Sequence, residues 1–333
     1  MEPTTAPKNS SECYDNTKIS GYKVCPRSYF IRHVLGWRSE GTANPLVFGL
    51  AWHNAMDVVW QYAKTCDRHT LVQLAHGAFT DEWAAWGFPV DMSLEANERF
   101  SPRTPGIAKE MLWGYVNDVK RTRMLDDADL LSAEQPIAVP MPGLENCWYV
   151  GRLDKAIRYA GQTLILEHKT TTAYATVGNF RSDYVDSWYA SSQVKGYEFC
   201  GSMYYPSLDG VWVDAALVHK KVHDAFKFIP ISHSYPLLSE WLKDTAEWIT
   251  RIRNEERMFE DAGELVQGCF PKNEESCFGK YGSCPFLDIC RSTADPSKLD
   301  GVPGGYVKET WEPFSILGLD KLIQQDKENT NET

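Results

Sequence analysis

Two strand-like segments, Trp148 to Tyr159 and Thr163 to Lys169, are joined through Ala160-Gly161, and this constrains the fold more than any other feature. So short a connection leaves the chain little option but an antiparallel hairpin. If Tyr159 faces Gln162, the same register sets Asp154 directly opposite Glu167, with Cβ atoms about 4.5–5.5 Å apart. Lys169 falls on the same face, because strand side chains alternate. A turn at Gly161-Gln162 would keep the three together, whereas a three-residue loop would separate Asp154 from Glu167. Leu164, Ile165 and Leu166 are apolar, so Glu167 ends a buried strand. Facing carboxylates repel unless a cation lies between them, and oxygen donors suit Mg²⁺ or Mn²⁺. A lysine two residues past the glutamate can orient or deprotonate a water, or neutralise charge building on a phosphate. The plainer alternative is an exposed hairpin whose Lys169 pairs with its neighbours.

The elements around the hairpin fix the fold class. Leu46 to Lys64 reads as a helix carrying Gly49, His53 and Asp57, and residues 70–125 as further Trp- and Ala-rich helices broken at Pro102 and Pro105. Ser187 to Cys200 reads as a helix with Gln193 and Tyr197 four apart on one face. Val211 to Lys220 and Ala225 to Ile231 read as strands, and Leu237 to Phe259 as a long amphipathic helix. Lys18 to Arg38 looks helical after Pro26. This order predicts an α/β (α+β) fold: a central mixed sheet flanked by helices, with a helical insertion at about 70–130 and a cysteine-rich segment near the C-terminus.

The hairpin pattern of an Asp followed by Glu-x-Lys resembles the PD-(D/E)xK nuclease superfamily, which has a restriction-endonuclease-like fold. Gly49-Leu50-Ala51-Trp52-His53 before the sheet and Gln193-Val194-Lys195-Gly196-Tyr197 after it resemble its RecB-like branch. Cys25-Pro26-Arg27 at the start, with Cys277, Cys284 and Cys290 at the end, resembles the members that carry an iron–sulfur cluster. These include CRISPR-adaptation nucleases, AddB nuclease domains and phage exonucleases. The resemblance spans about residues 18 to 292 and implies a metal-dependent DNA nuclease, most simply an exonuclease on single strands or DNA ends. It makes Asp154, Glu167, His53 and the backbone carbonyl of His168 the ligands of Mg²⁺ or Mn²⁺, and Lys169 the residue that positions water or stabilises the transition state. Gln193 and Tyr197 would contact DNA, with Arg152 and Lys195 as added phosphate contacts. Cys25, Cys277, Cys284 and Cys290 would bind a [4Fe–4S] cluster. Spacing alone equally allows a structural zinc, and does not separate Cys25 from Cys269. A spacer-processing nuclease shares the same motifs, and a non-catalytic DNA-binding scaffold would share the fold.

Composition fits this reading with one tension. Lys and Arg number 34 against 45 Asp and Glu, a net charge of −11, which excludes a general nucleic-acid coat protein. Lys18 to Arg38, however, holds five basic residues and no acid, a candidate DNA track. Nine cysteines without an apolar leader point to reduced thiols and a cytoplasmic protein, and no apolar run is long enough to span a membrane. With no GxxxxGK[ST] loop, unwinding would fall to a helicase or recombination partner. We expect a disordered tail at 1–17, one nuclease domain at 18–295 with its metal-cluster region at 265–292, and a polar, partly disordered extension at 296–333. Asp57, one turn from His53, could orient that imidazole or be solvated.

Overall fold

Ala160 and Gly161 both have positive φ, +50° and +79°, as a two-residue type I′ turn requires. Pairing runs from Tyr159 with Gln162 to Lys155 with Leu166, the register expected from the sequence. In the computed structural model, which describes residues 7–41, 43–279 and 282–320, this hairpin lies at the middle of a mixed sheet. In chain order its strands are β1 (Cys13–Tyr14), β2 (Asp129–Pro140), β3 (Trp148–Tyr159), β4 (Gln162–Thr171), β5 (Leu208–Leu217) and β6 (Phe226–Ile231). They are arranged β1-β3-β4-β5-β6, with β2 also pairing with β3. β4 and β5 are parallel, and β3/β4 and β5/β6 antiparallel. The longer helices are α1 (Asn16–Val24), α2 (Asn44–Tyr62), α3 (Arg68–Ala85), α4 (Pro105–Asn117), α5 (Val119–Asp127), α6 (Ser192–Tyr204) and α7 (Tyr235–Ala262). The fold is the mixed α/β architecture with a central sheet flanked by helices that the element order predicts.

The chain divides into two compact units. One comprises residues 42–135 and 153–234, the other 1–41, 136–152 and 235–333. The first is built on β4, whose Leu164, Ile165 and Leu166 are fully buried. Leu164 and Leu166 belong to a core with Phe48, Trp52, Met56, Phe79, Trp83 and Leu112 from α2, α3 and α4. The parallel pair β4/β5 is joined through α6, as a parallel connection needs a crossover. Close packing leaves no space for a side chain at Gly201 of α6, whose added Cβ would stand 2.3 Å from Ile165 Cδ1. α6 begins at Ser192, later than the sequence suggested, because Ser191 caps it by accepting from Val194 N at 3.4 Å.

The second unit corrects three expectations. The supposed tail is ordered from residue 7 onward: Cys13 and Tyr14 are fully buried and pair in parallel with Trp148 and Tyr149. Asp15 then caps α1 through Lys18 N at 2.6 Å, so a helix precedes Pro26 where none was foreseen. The presumed C-terminal extension contributes a strand, Tyr306–Lys308, that pairs with Trp37–Ser39. It also contributes Leu319, buried beside Cys13 and Trp148. Short polar stretches hid these elements, since pairing across the chain rather than local periodicity forms them. Residues 1–6 and 321–333, which the sequence reading assigned to loose ends, lie outside the described residues.

Gly114 of α4 offers a direct test of the packing in the first unit. A Cβ there would come within 2.6 Å of the His223 backbone carbonyl oxygen, which cannot swing aside as a side chain can. Gly114→Ala should lower stability by about 1–3 kcal/mol in urea denaturation. Gly106→Ala in the same helix, with open space around it, should be neutral or slightly stabilising.

Candidate metal centre and active site

Four elements of the first unit bring the site together. α2 presents His53, the middle of β3 presents Asp154, β4 presents Glu167 and Lys169, and α6 presents Gln193 and Tyr197. Gly49 lies on the same α2 face as His53, and its added Cβ would stand 3.9 Å from Thr170 Oγ1 of β4. Asp154 Oδ2 accepts from the backbone N–H of His168 at 2.8 Å and lies 3.2 Å from His53 Nδ1. Lys169 Nζ forms an ion pair with Glu167 Oε1. Gln193 Nε2 donates to Glu167 Oε1 at 3.1 Å and to Tyr197 OH at 3.0 Å. The structure therefore gathers His53, Asp154, Glu167, Lys169, Gln193 and Tyr197 into one contact network.

Burial sets the electrostatics of this cluster. Glu167 is pushed up to about 7, first by loss of solvent and then by the Asp154 carboxylate. Asp154 also loses solvent, but His53 and Lys169 more than offset this and hold its carboxyl well below the usual range. Burial pulls Lys169 down, yet Glu167 and Asp154 outweigh it and favour the ammonium form. Glu167 Oε2 is buried with no hydrogen-bond partner. A buried carboxylate oxygen without a donor is costly and is a natural seat for a cation.

Several residues behave differently from the sequence reading. Asp57 does not orient His53; it takes an ion pair with Lys155, whose side chain is 1% exposed and also donates to Asp154 O at 3.1 Å. Arg152 falls in the second unit, where its guanidinium donates to Ile316 O at 3.4 Å. Lys195 is half-buried on α6. The basic run from Lys18 to Arg38 is largely spent internally. Lys18 is buried and donates to Cys13 O, Arg27 is buried against Phe270 O and Ala294 O, and Arg32 and Arg38 both pair with Glu309. That segment is therefore structural rather than an open DNA track.

Two side-chain groupings escaped the sequence. Glu134 of β2 has donor atoms within 4.8 Å of those of His53 and Asp154; it carries no motif, and its φ of +48° departs from regular strand geometry. Beneath β4, Asp214 of β5 holds a buried network. Arg121 of α5 forms an ion pair with it, Tyr115 donates to it at 2.6 Å, and His168 Nδ1 lies 3.2 Å away. Burial would raise the Asp214 carboxyl, but Arg121 and His168 bring it below its ordinary value. His168 and Asp214 are register partners across β4 and β5, so the network grips the strand between Glu167 and Lys169.

A basic cleft lies at the carboxyl ends of β4 and β5. Arg103, Thr172, Tyr174, His219, Lys220 and Lys221 line a cavity of about 510 Å³, and Thr172 is three residues past Lys169. Open sheets bind ligands at the carboxyl ends of parallel strands.

In the second unit, Cys25 is tied to the cysteine-rich segment. Arg27 N donates to Pro271 O at 3.2 Å, and Asn273 Nδ2 to Val24 O at 2.7 Å. Cys284 N donates to Cys277 O at 2.8 Å. Burial, followed by Cys25 and Cys277, raises the Cys284 thiol; Cys290 is raised by burial and also by Cys25 and Cys284, against Lys272 and Arg27. Cys269 is engaged elsewhere, donating to Glu255 O at 3.3 Å, and no cysteine figures among the groups that shift it.

The sequence pattern of the PD-(D/E)XK nuclease superfamily matches residues 16–291. No curated protein matches the chain. Among solved structures, one described as a "Putative exonuclease" from Eubacterium rectale is similar at a TM-score of 0.47. It shares 14% sequence identity over 92% of this chain and 93% of that one.

The Asp214 network makes a stability prediction. Asp214→Ala leaves the buried Arg121 with only the part-exposed Asp118 carboxylate, 3.3 Å away, as ion-pair partner and should cost about 3–5 kcal/mol. Replacing both residues by leucine should recover most of that loss, as measured by urea denaturation of the single and double variants.

Proposed function

Because the chain belongs to the PD-(D/E)XK nuclease superfamily, we propose that it is a divalent-metal-dependent deoxyribonuclease of the RecB-like type, an exonuclease on single-stranded DNA or DNA ends. The observation that carries this reading is the junction of Asp154, Glu167, Lys169 and His53, with one buried Glu167 oxygen unsatisfied. The donors suit Mg²⁺ or Mn²⁺: two carboxylates, an imidazole and the His168 carbonyl. A bound cation would supply Lewis acidity toward the scissile phosphate and lower the pKa of a water.

The protein's own groups then have distinct work. Lys169, held as an ammonium between carboxylates, stabilises negative charge accumulating on the phosphate during in-line attack. Gln193 fixes the orientation of Glu167 and, through its contact with Tyr197, couples the carboxylate to a side chain able to bond phosphate or stack on a base. Arg103, Lys220 and Lys221 of the cleft past Lys169 would hold the backbone of the strand on its way from the site. The cleft also has an aromatic face: Tyr174 packs edge-on against His219 at 5.0 Å, a sequence-tolerant platform for unpaired bases. Unwinding of duplex DNA would require a helicase or recombination partner.

Cys25, Cys277, Cys284 and Cys290 would carry a [4Fe–4S] cluster that fastens the N-terminal segment to the cysteine-rich one. Four thiolates suit a [4Fe–4S] cluster or a tetrahedral zinc alike, and metal analysis separates the two.

Two tests follow. With Mn²⁺ or Mg²⁺, the protein should degrade linear but not circular single-stranded DNA, and Asp154→Asn and Lys169→Ala should each abolish degradation while retaining the wild-type circular dichroism spectrum. Undiminished cleavage by both variants would exclude this site. Protein purified without oxygen should contain iron and inorganic sulfide, and Cys284→Ser should lose both together with visible absorbance; a colourless, zinc-containing protein would reverse the assignment.

A further inference from the structure

Two hydrogen-bond donors in the segment between β4 and α6 are buried without a partner: Tyr184 Oη and Trp188 Nε1. Tyr184 lies on the short helix Ser182–Ser187 and Trp188 directly follows it. Neither belongs to a motif of the sequence, and neither is a metal donor. Resting on the nuclease reading above, we propose that Tyr184 and Trp188 bind a backbone phosphate of the DNA beside the scissile one, and that their rings select an unpaired strand.

Tyr184 lies within electrostatic reach of Lys169. Burial raises its phenol pKa, while Trp188 and Lys169 act against this. Tyr184 is in turn among the groups that favour the ammonium form of Lys169. The phenol therefore keeps its proton and is available as a donor. Trp188 stands close enough to favour ionisation of the phenol, yet no hydrogen bond joins the two. A hydroxyl and an indole N–H buried in this way each carry a desolvation cost, which an acceptor reaching both would remove. An indole only donates, and an ammonium only donates, so the group that complements these three is an anionic acceptor. A phosphate oxygen is that acceptor in every nucleotide, whereas base edges vary with sequence.

The rings form a ladder. Phe180 stacks on Tyr184 at 6.0 Å between centroids, and Tyr184 meets Trp188 edge-on at 5.9 Å. Phe180 is also the register partner of Tyr174 across the ribbon formed by Tyr174–Thr176 and Asn179–Phe180. Tyr174 lines the basic cleft with Lys220 and Lys221, so one ribbon carries aromatic residues from that cleft to the neighbourhood of Lys169. Unpaired bases can stack on such rings, and bases held inside a duplex cannot. The competing role for the ladder is to pack its own segment. Packing asks for the rings alone, and phenylalanine at these positions would supply them without burying an unpartnered donor.

The test is binding of a fluorescently labelled linear single strand of mixed sequence to the full chain in EDTA, read by anisotropy. Tyr184→Phe and Trp188→Phe keep a ring and remove one donor each. Each should weaken binding about tenfold, and Tyr184→Phe should melt at the wild-type temperature or above. Strands that each carry one neutral methylphosphonate linkage, at successive positions, locate the contact. Wild type should lose affinity at a linkage near the bound end, and in Tyr184→Phe that penalty should shrink while penalties at other linkages persist. Wild-type affinity in both variants, weaker binding matched by a lower Tyr184→Phe melting temperature, or an unchanged profile of linkage penalties would each overturn the proposal. Metal-dependent cleavage by the wild type alongside any of these results would leave the nuclease reading standing. A wild-type protein that neither binds nor cleaves DNA would remove both.

Discussion

The apposition of two buried carboxylates at one end of a hairpin governs this structure. Asp154 and Glu167 are removed from solvent together, and each raises the cost of ionising the other. Everything nearby reduces that cost without removing it. His53 and the His168 amide satisfy Asp154, Lys169 and Gln193 satisfy one oxygen of Glu167, and the other oxygen is left over. A protein that needed only stability would replace such a pair with apolar residues. Keeping it, with one Glu167 oxygen left without a donor, fits the proposed site that completes its charge balance with a cation.

The placement depends on register, which makes the hairpin turn part of the site. A slip of one residue along β4 would move Glu167 and Lys169 to the opposite face. Two devices pin the strand. The Ala160-Gly161 turn sets it from one end. From the other side, the buried Asp214–Arg121 pair packs against His168, whose Nδ1 lies 3.2 Å from Asp214 Oδ2. Arg121 comes from the helical insertion, so residues 70–130 do more than decorate the core.

The hairpin, its register and the helices bearing His53 and Gln193 were legible because each rests on local rules: a two-residue turn, alternation along a strand, and spacing of four on a helix. The sequence also predicted the mixed sheet and the helical insertion. What it hid depends on contacts distant in the chain. Cys13 and Tyr14 sit in a stretch of polar residues and become buried only because Trp148 and Tyr149 offer a strand to pair with. Arg27, Arg32 and Arg38 looked like a basic face, but their carbonyl and carboxylate partners lie more than two hundred residues away. Asp57 was placed on the right face of its helix, and its partner was still misjudged, because Lys155 is brought beside it only by tertiary packing. Glu134 could not be inferred at all: a left-handed residue within a strand breaks the alternation from which a facing direction would be read.

The relocation of these charges also alters the meaning of a net charge of −11. A basic segment that is internally paired contributes little to the field a nucleic acid meets, so attraction must come from groups beside the site. Lys220 and Lys221 are exposed past the carboxyl end of β5, in the cleft that Thr172 shares just beyond the strand bearing Glu167 and Lys169. Attraction confined to such a cleft, on a surface that is acidic overall, acts within about a Debye length. It would favour a strand already threaded toward Lys169 over duplex lying across the outside. On the proposed reading, a preference for an end over an interior segment of DNA would rest on weak general affinity with local capture in the cleft rather than on the metal centre.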